Sequence, residues 1–303
     1  MKIIVAGGTG FIGSALIEAL LSRGDKVVLL TRDLAAAQRR WAGRVDARLW
    51  NARDPGPWVM TIDGADAVVN LAGESVAGGR WTPDRKIALL KSRIDSTRDI
   101  VSAIQAAAER PLVLVNASAV GYYGVAPEHE CAENAPQGTD FLAALCGQWE
   151  REAFAVEKLE VRVVTARFGV VLGTQGGALA KMLTPFKLGV GGPLGSGRQP
   201  FPWIHLDDAV GAILFAIDNA DVSGPMNVTA PEPATNAQFT KALGRALHRP
   251  ALLPAPAFAL RLALGEMSSL LLEGQHATPK KLLACGYAFR HPALNAALSY
   301  LTR

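Results

Sequence analysis

Residues 1–13 read MKIIVAGGTGFIG, and the fold is decided there. Ile3, Ile4 and Val5 form a short apolar run without polar alternation, the pattern of a strand covered on both faces. The turn that follows, Gly7-Gly8-Thr9-Gly10-Phe11-Ile12-Gly13, satisfies both GxxGxxG and GxGxxG. FIGSALIEALLSRG (11–24) then repeats its apolar residues at helical spacing. Strand, glycine turn and helix in this order are the context in which the motif marks a dinucleotide site. Glycine lets the backbone turn tightly and approach a pyrophosphate, and the helix start offers unpaired N–H groups to the anion. Gly7, Thr9, Gly10, Phe11, Ile12 and Gly13 are therefore expected to hold a cofactor.

The same rhythm continues outward. KVVLLT (26–31), ADAVVNLA (65–72), PLVLVNAS (111–118) and VRVVTARF (161–168) read as further buried strands. DRKIALLKSRIDSTRDIVSAIQAAAER (84–110) and TDFLAALCGQWEREAFAVEK (139–158) read as helices between them. On the first of these, Ile87, Leu90, Ile94, Ile100, Val101 and Ile104 make an apolar stripe. Alternating strands and helices imply an α/β fold, a Rossmann-type doubly wound parallel sheet. The texture changes near residue 169. Glycine-rich KLGVGGPLGSGRQPFPWIH (187–205) is followed by a helical segment with Asn236 as expected N-cap, then by the apolar PAPAFALRLALGEMSSLLLEG (254–274). The expected division is a cofactor domain over 1–168 and, over 169–303, a smaller C-terminal substrate lobe with segments returning to the first domain.

The end of the second strand separates NAD from NADP. An acid there accepts the ribose hydroxyls of NAD, whereas a cation suits the 2′-phosphate of NADP. Thr31 stands where the acid belongs, Arg32 follows, and Asp33 comes one residue later. NADP is the expected cofactor, with Thr31 and Arg32 at its ribose; the alternative for Arg32 is a solvated surface charge.

Composition narrows the function classes. Half of the 303 residues are hydrophobic and the formal net charge is +4. The basic residues are scattered, without the clustered stripe that nucleic-acid binding needs. The three cysteines are widely spaced and no CxxC occurs, so neither a disulfide framework nor a metal site is expected. The N-terminal apolar run stops at Gly7, too short for a signal peptide, and no apolar run reaches a membrane span. A cytoplasmic protein with a small-molecule substrate follows as the expectation, and oligomeric state is left open.

GGTGFIG, NLAGES (70–75) with GRW (79–81), KSRIDSTR (91–98), SAVGYYG (118–124), RFGVVLG (167–173), KLGVGGPLGSGRQPFPWIHLDD (187–208), PEPATNAQF (231–239) and LLEGQ (271–275) together carry a more specific likeness. With these stretches the chain resembles the extended short-chain dehydrogenase/reductases of the epimerase/dehydratase branch. Within that branch it resembles the atypical epimerase-family proteins sometimes labelled cell-division inhibitors. The resemblance implies that Leu71, Ala72 and Gly73 pass beside the cofactor. It sets Arg93 where the superfamily has an asparagine facing the cofactor, and Arg167 and Phe168 beside the nicotinamide. It places Ser118 in the segment of the catalytic serine, within one residue.

The proton-transfer pair of that superfamily, Tyr-x-x-x-Lys, is missing. In DFLAALCGQWE (140–150), Leu142 takes the tyrosine place and Cys146 the lysine place. Leucine donates nothing, and a cysteine on an apolar helix face is commonly a small buried hydrophobe. Tyr122 and Tyr123, just past a strand end, are the replacement proton donors expected to act with Ser118. Two readings stay open: an NADP(H)-dependent oxidoreductase or epimerase-like enzyme acting on a small polar or nucleotide-linked substrate, and an NADPH-binding sensor or regulatory protein without turnover.

Overall fold

The computed structural model describes residues 1–52 and 56–303, with Pro127 by its backbone alone. Its strands are β1 (Lys2–Ala6), β2 (Lys26–Thr31), β3 (Asp46–Leu49), β4 (Ala67–Asn70), β5 (Val113–Ala119), β6 (Ala126–Cys131), β7 (Arg162–Phe168), β8 (Val170–Leu172), β9 (Trp203–His205), β10 (Gly224–Val228) and β11 (Gln275–Ala277). Its α-helices are α1 (Phe11–Arg23), α2 (Leu34–Trp41), α3 (Pro83–Ala106), α4 (Phe141–Phe154), α5 (Gly177–Lys187), α6 (Leu206–Asp218), α7 (Asn236–Ala246), α8 (Ala257–Leu264), α9 (Ser269–Leu272), α10 (Lys280–Ala284) and α11 (Leu294–Leu301).

Seven strands form one parallel sheet in the order β10-β7-β5-β4-β1-β2-β3. The order reverses between β1 and β4, which opens a crevice at their C-terminal ends, the place where such sheets bind ligands. Apolar side chains alternate to the two faces. Ile3, Val5, Leu29, Val69 and Val115 pack on one side, while Ile4, Ala6, Val28, Val68 and Leu114 pack on the other. Both faces are covered by helices, which is why these strands read as continuous apolar runs.

Register places three polar residues side by side. Ser118 of β5 lies opposite Arg167 of β7, which lies opposite Asn227 of β10. After β7 the chain builds the two-stranded sheet β8-β9, returns to the main sheet through β10, and closes with β11 against β6. A separate core of Leu172, Phe186, Trp203, Phe239, Leu243 and Leu298 holds the C-terminal lobe.

Three details depart from the sequence expectations. The N-cap of α7 is Thr235, which forms a capping box with Gln238, while Asn236 is the first helical residue and accepts from the Leu194 N–H at 2.8 Å. Ile87 is exposed, and the middle of α3 instead buries Leu89, Arg93, Ser96 and Thr97, so its buried stripe there is largely polar. The apolar 254–274 stretch, expected as one helix, is divided into α8, a 3-10 turn at Gly265–Ser268 and α9, and α8 has no buried residue.

Candidate functional site

The glycine turn fits its cofactor role by geometry. A Cβ on Gly7 would stand 2.5 Å from the Leu71 backbone, and one on Gly13 would stand 2.4 Å from the Gly7 carbonyl. Gly7 also has φ +74°, a conformation that disfavours side chains. The first turn and the β4 loop are thus in backbone contact. The N-cap of α1 is Gly10, with no side-chain cap and no acidic residue in the first turn, so its N–H groups remain for an anion. Phe11 points across to the lobe, where its ring lies against Gly173, Gly176 and Gly177.

At the end of β2, Thr31 is buried and its hydroxyl accepts from the Asp33 N–H at 3.1 Å. Asp33 turns away as the N-cap of α2, accepting from the Ala36 N–H at 2.8 Å. Arg32 is exposed, with no side-chain partner among the described residues. Asp33 is thus committed to a helix cap, and among the described residues the cation beside it has no partner.

The β4 loop is fixed from below. Asn70 accepts from the Ala72 N–H at 3.1 Å and donates to Asn116 at 2.7 Å and to Thr97 at 3.0 Å. Trp149 of α4 donates to the same Thr97 at 2.9 Å. Arg93 lies against Gly73, donates to the Glu74 carbonyl at 2.9 Å and to the Leu89 carbonyl at 3.1 Å, and stacks over Trp149. Burial pulls its pKa below the ordinary arginine value, yet guanidinium remains charged in proteins. Arg93 is therefore a positive group beside Gly73, partly engaged in holding the loop that carries it. Glu74 is held in turn by an ion pair with Arg85.

The β5 and β7 ends look different. The Ser118 hydroxyl donates to Glu150 at 2.6 Å. Arg167 donates twice to the Glu150 carboxylate, at 2.8 Å each, then to the Tyr123 hydroxyl at 2.9 Å and the Glu133 carbonyl at 3.1 Å. Tyr123 donates to Asn227 at 2.7 Å, and Asn227 donates to the Cys131 and Thr278 carbonyls. Burial opposes charge on Arg167, but the Glu150 carboxylate outweighs it and holds the guanidinium above its usual pKa.

This network decides what each expected residue has to offer. Arg167 gives four of its five N–H groups to protein partners and is buried, so little of its hydrogen-bonding capacity is left for a ligand. Phe168, its neighbour, is buried as well. Ser118 is buried with its proton on Glu150. Burial pushes the Tyr123 hydroxyl up to about 12, and its proton is directed to Asn227. Tyr122 alone is half-buried with a hydroxyl that has no partner among the described residues, its ring resting on the Arg167 guanidinium at 3.5 Å. Cys146 is buried, and burial followed by the Glu150 charge pushes its thiol up to about 12.

Glu150 and Asn227 organise this end, and the sequence reading gave neither a role. Glu150 lies one helical turn beyond Cys146, which sets both on one face of α4. That spacing was the one available signal, since Asn227 meets Tyr123 across 104 residues. Among the described residues, His205, Asp207 and His291 form the one group with metal-ligand types close together. His205 Nδ1 is already used, accepting from the Asp207 N–H at 3.0 Å.

Over residues 3–229 the chain matches the NAD dependent epimerase/dehydratase family, and over 255–301 a domain of unknown function, DUF1731. It is similar to the epimerase family protein YfhF of Bacillus subtilis, 42% identical over 302 residues that cover 99% of this chain and 98% of that one. The epimerase family protein SDR39U1 of Mus musculus is 40% identical over 302 residues, covering 98% of each. A crystal structure of human epimerase family protein SDR39U1 (isoform2) with NADPH superposes with a TM-score of 0.91 at 38% identity, covering 100% of this chain and 99% of that one. The chain belongs to the NAD dependent epimerase/dehydratase family.

Proposed function

We propose that this chain binds NADP(H) and is an oxidoreductase or epimerase-like enzyme acting on a small polar or nucleotide-linked substrate. The observation that carries the cofactor is the end of β2, where Asp33 caps α2 while Arg32, with no partner among the described residues, is left for a 2′-phosphate. The human relative crystallised with NADPH supports the same choice. When bound, this cofactor supplies hydride chemistry and no proton. The backbone of Leu71-Ala72-Gly73, packed on Gly7, and the Gly10–Gly13 turn would hold it, with Thr31 and Arg32 at the ribose and Arg93 of α3 beside Gly73. No helix is long and apolar enough to cross a membrane among the described residues. The three cysteines are free, in keeping with a cytoplasmic protein.

The proton would come from Tyr122, whose hydroxyl has no partner among the described residues and whose ring rests on Arg167. Ser118 and Tyr123 would support it from the closed network behind. The test is NADPH consumption across a panel of small carbonyl compounds and nucleotide sugars. Turnover is expected, and Tyr122→Phe is expected to lower kcat by about 10²-fold or more while leaving NADPH affinity unchanged. Turnover that survives the change removes Tyr122 from this role.

A second reading has its own observation. Leu142 and Cys146 replace the proton-transfer pair, and the Ser118 and Tyr123 protons are already directed to Glu150 and Asn227. A chain built this way serves equally as an NADPH sensor. Tight NADPH binding without consumption on any substrate would select it.

A further inference from the structure

Two segments of the C-terminal lobe are unlike the rest of the molecule. Residues 177–200 and 233–265 contain seven cations, Lys181, Lys187, Arg198, Lys241, Arg245, Arg249 and Arg261, and no aspartate or glutamate. Backbone hydrogen bonds bind the segments together: Leu253 N–H to the Gly191 carbonyl, Ala255 N–H to Pro193, and Gly195 N–H to Ala255. None of the seven side chains has an ion pair or side-chain hydrogen bond among the described residues. Several cations elsewhere are paired, as in Arg23–Asp218, Arg44–Glu18, Lys86–Glu266, Arg98–Glu152 and Lys280–Glu130. The acids that flank the 233–265 segment are turned away, Glu232 accepting from the Leu294 N–H and Glu266 pairing with Lys86.

The charge is focused in one place. Lys241, Arg245, His248 and Arg249 line a single groove of about 590 Å³ together with Pro193 and Leu252. Part of this charge has a local cause, because cations near the C-terminal end of α7 favour its dipole. That cause accounts for Arg245 and its neighbours on the helix. It does not account for a concave wall, for the absence of any carboxylate along both segments, or for the apolar border. Four of the most exposed large hydrophobic side chains lie on these segments: Leu188 (73%), Leu252 (80%), Phe258 (73%) and Leu262 (78%).

The geometry points to a second anion site in this groove, taking a phosphate-bearing ligand separate from the dinucleotide crevice. Volumes of this order suit small molecules, and Lys and Arg donors meet phosphate through charge-assisted hydrogen bonds. Phosphate reaches such a groove either as a free polyanion or as the headgroup of a lipid, whose acyl region would meet Leu252, Phe258 and Leu262. The shared chemistry is the phosphate, and the source is decided by experiment.

The test uses the full chain saturated with NADPH, which occupies the proposed cofactor site. Inorganic triphosphate is titrated calorimetrically, and in parallel the protein is sedimented with vesicles of phosphatidylcholine containing phosphatidylglycerol. Saturable binding in at least one arm is expected, weakened by about tenfold or more in Lys241→Gln/Arg245→Gln. Both positions are exposed, so that variant should fold, and unchanged NADPH affinity verifies it. Binding to triphosphate assigns a soluble ligand. Binding to vesicles alone, lost also in Leu252→Ser/Leu262→Ser, assigns a headgroup. No binding in either arm, or binding that the glutamine variant leaves intact, overturns the site. Should NADPH itself not bind, titration of the free chain still separates the two sites, since the groove component is lost in the glutamine variant and the crevice component in Arg32→Ala.

Discussion

The two halves of the crevice handle their polar groups in opposite ways. At the β1–β2 side, hydrogen-bonding capacity is left unused. Gly10 starts α1 without a side-chain cap, and Arg32 stands alone beside an aspartate already committed to α2. At the β5–β7 side, Ser118, Tyr123, Glu150, Arg167 and Asn227 satisfy one another. Free groups cost little at a solvated edge, whereas a buried unpaired group costs about 1–3 kcal/mol. The first side is therefore organised around a partner that is not protein. The second is organised around itself, and Tyr122 is the group it presents outward.

The largest expected effect tests the closed side. Glu150→Ala leaves the Arg167 guanidinium buried without its counter-charge, which is expected to destabilise the fold by about 3–5 kcal/mol. Chemical denaturation reads this directly. Glu150→Leu combined with Arg167→Met removes both charges and is expected to recover much of the loss, since a buried pair and an apolar replacement are often near equal. Equal instability of the single and double variants would show that the network holds the fold by packing and not by charge balance.

Next in size comes the open side. Arg32→Ala should leave stability almost unchanged, because the side chain is exposed and has no hydrogen bond or ion pair among the described residues. NADPH affinity should fall by about 1.5–3 kcal/mol, the worth of hydrogen bonds to a charged group, while NADH affinity moves little. Equal loss for both cofactors would mean that the cation is a bystander and that the ribose is read elsewhere.

How much of this contrast was legible in the sequence follows from the range of the forces involved. β1, its glycine turn and α1 are local: an apolar run, a run of glycines and a helical repeat sit within two dozen residues. The open side was therefore readable, down to Arg32 against Asp33. β10 was not, because GPMNV begins with glycine and proline and reads as a turn until β7 supplies its partner. The closed side was readable only as an absence, the missing tyrosine and lysine. What fills that absence depends on a register that aligns Ser118, Arg167 and Asn227 across three strands, and no local pattern encodes a register between distant segments.

A smaller effect separates two roles for the lysine position. A working thiolate at Cys146 would react faster than an ordinary cysteine. With its thiol pushed up to about 12 by burial and by Glu150, Cys146 is expected to stay protonated and unmodified by iodoacetamide at pH 8. The half-buried Cys285 should react first, as followed by mass spectrometry of the native protein. Early labelling of Cys146 would place a reactive group on the side described here as closed.

The smallest effect is silent at neutral pH. His205 caps α6, with Nδ1 accepting from the Asp207 N–H, while its Nε2 is buried without a partner. His291 stacks on it at 3.8 Å between ring centroids, Tyr300 stands edge-on at 5.6 Å, and the Asp207 carboxylate lies 3.7 Å from Nδ1. Burial first, then His291, depresses the imidazole below its ordinary value, against the opposing pull of Asp207 and Asp208. The unfolded chain then binds the proton more readily than the folded one. The stabilisation is whole above the unfolded value, near 6.5, and is lost as pH falls from there toward the lower folded value. His205→Asn keeps an oxygen to accept from Asp207 and removes the titration. Thermal melts should therefore fall more steeply between about pH 7 and pH 5 for the native chain than for the variant. Parallel curves would show that the imidazole, buried and stacked as it is, takes up its proton as easily as one in water.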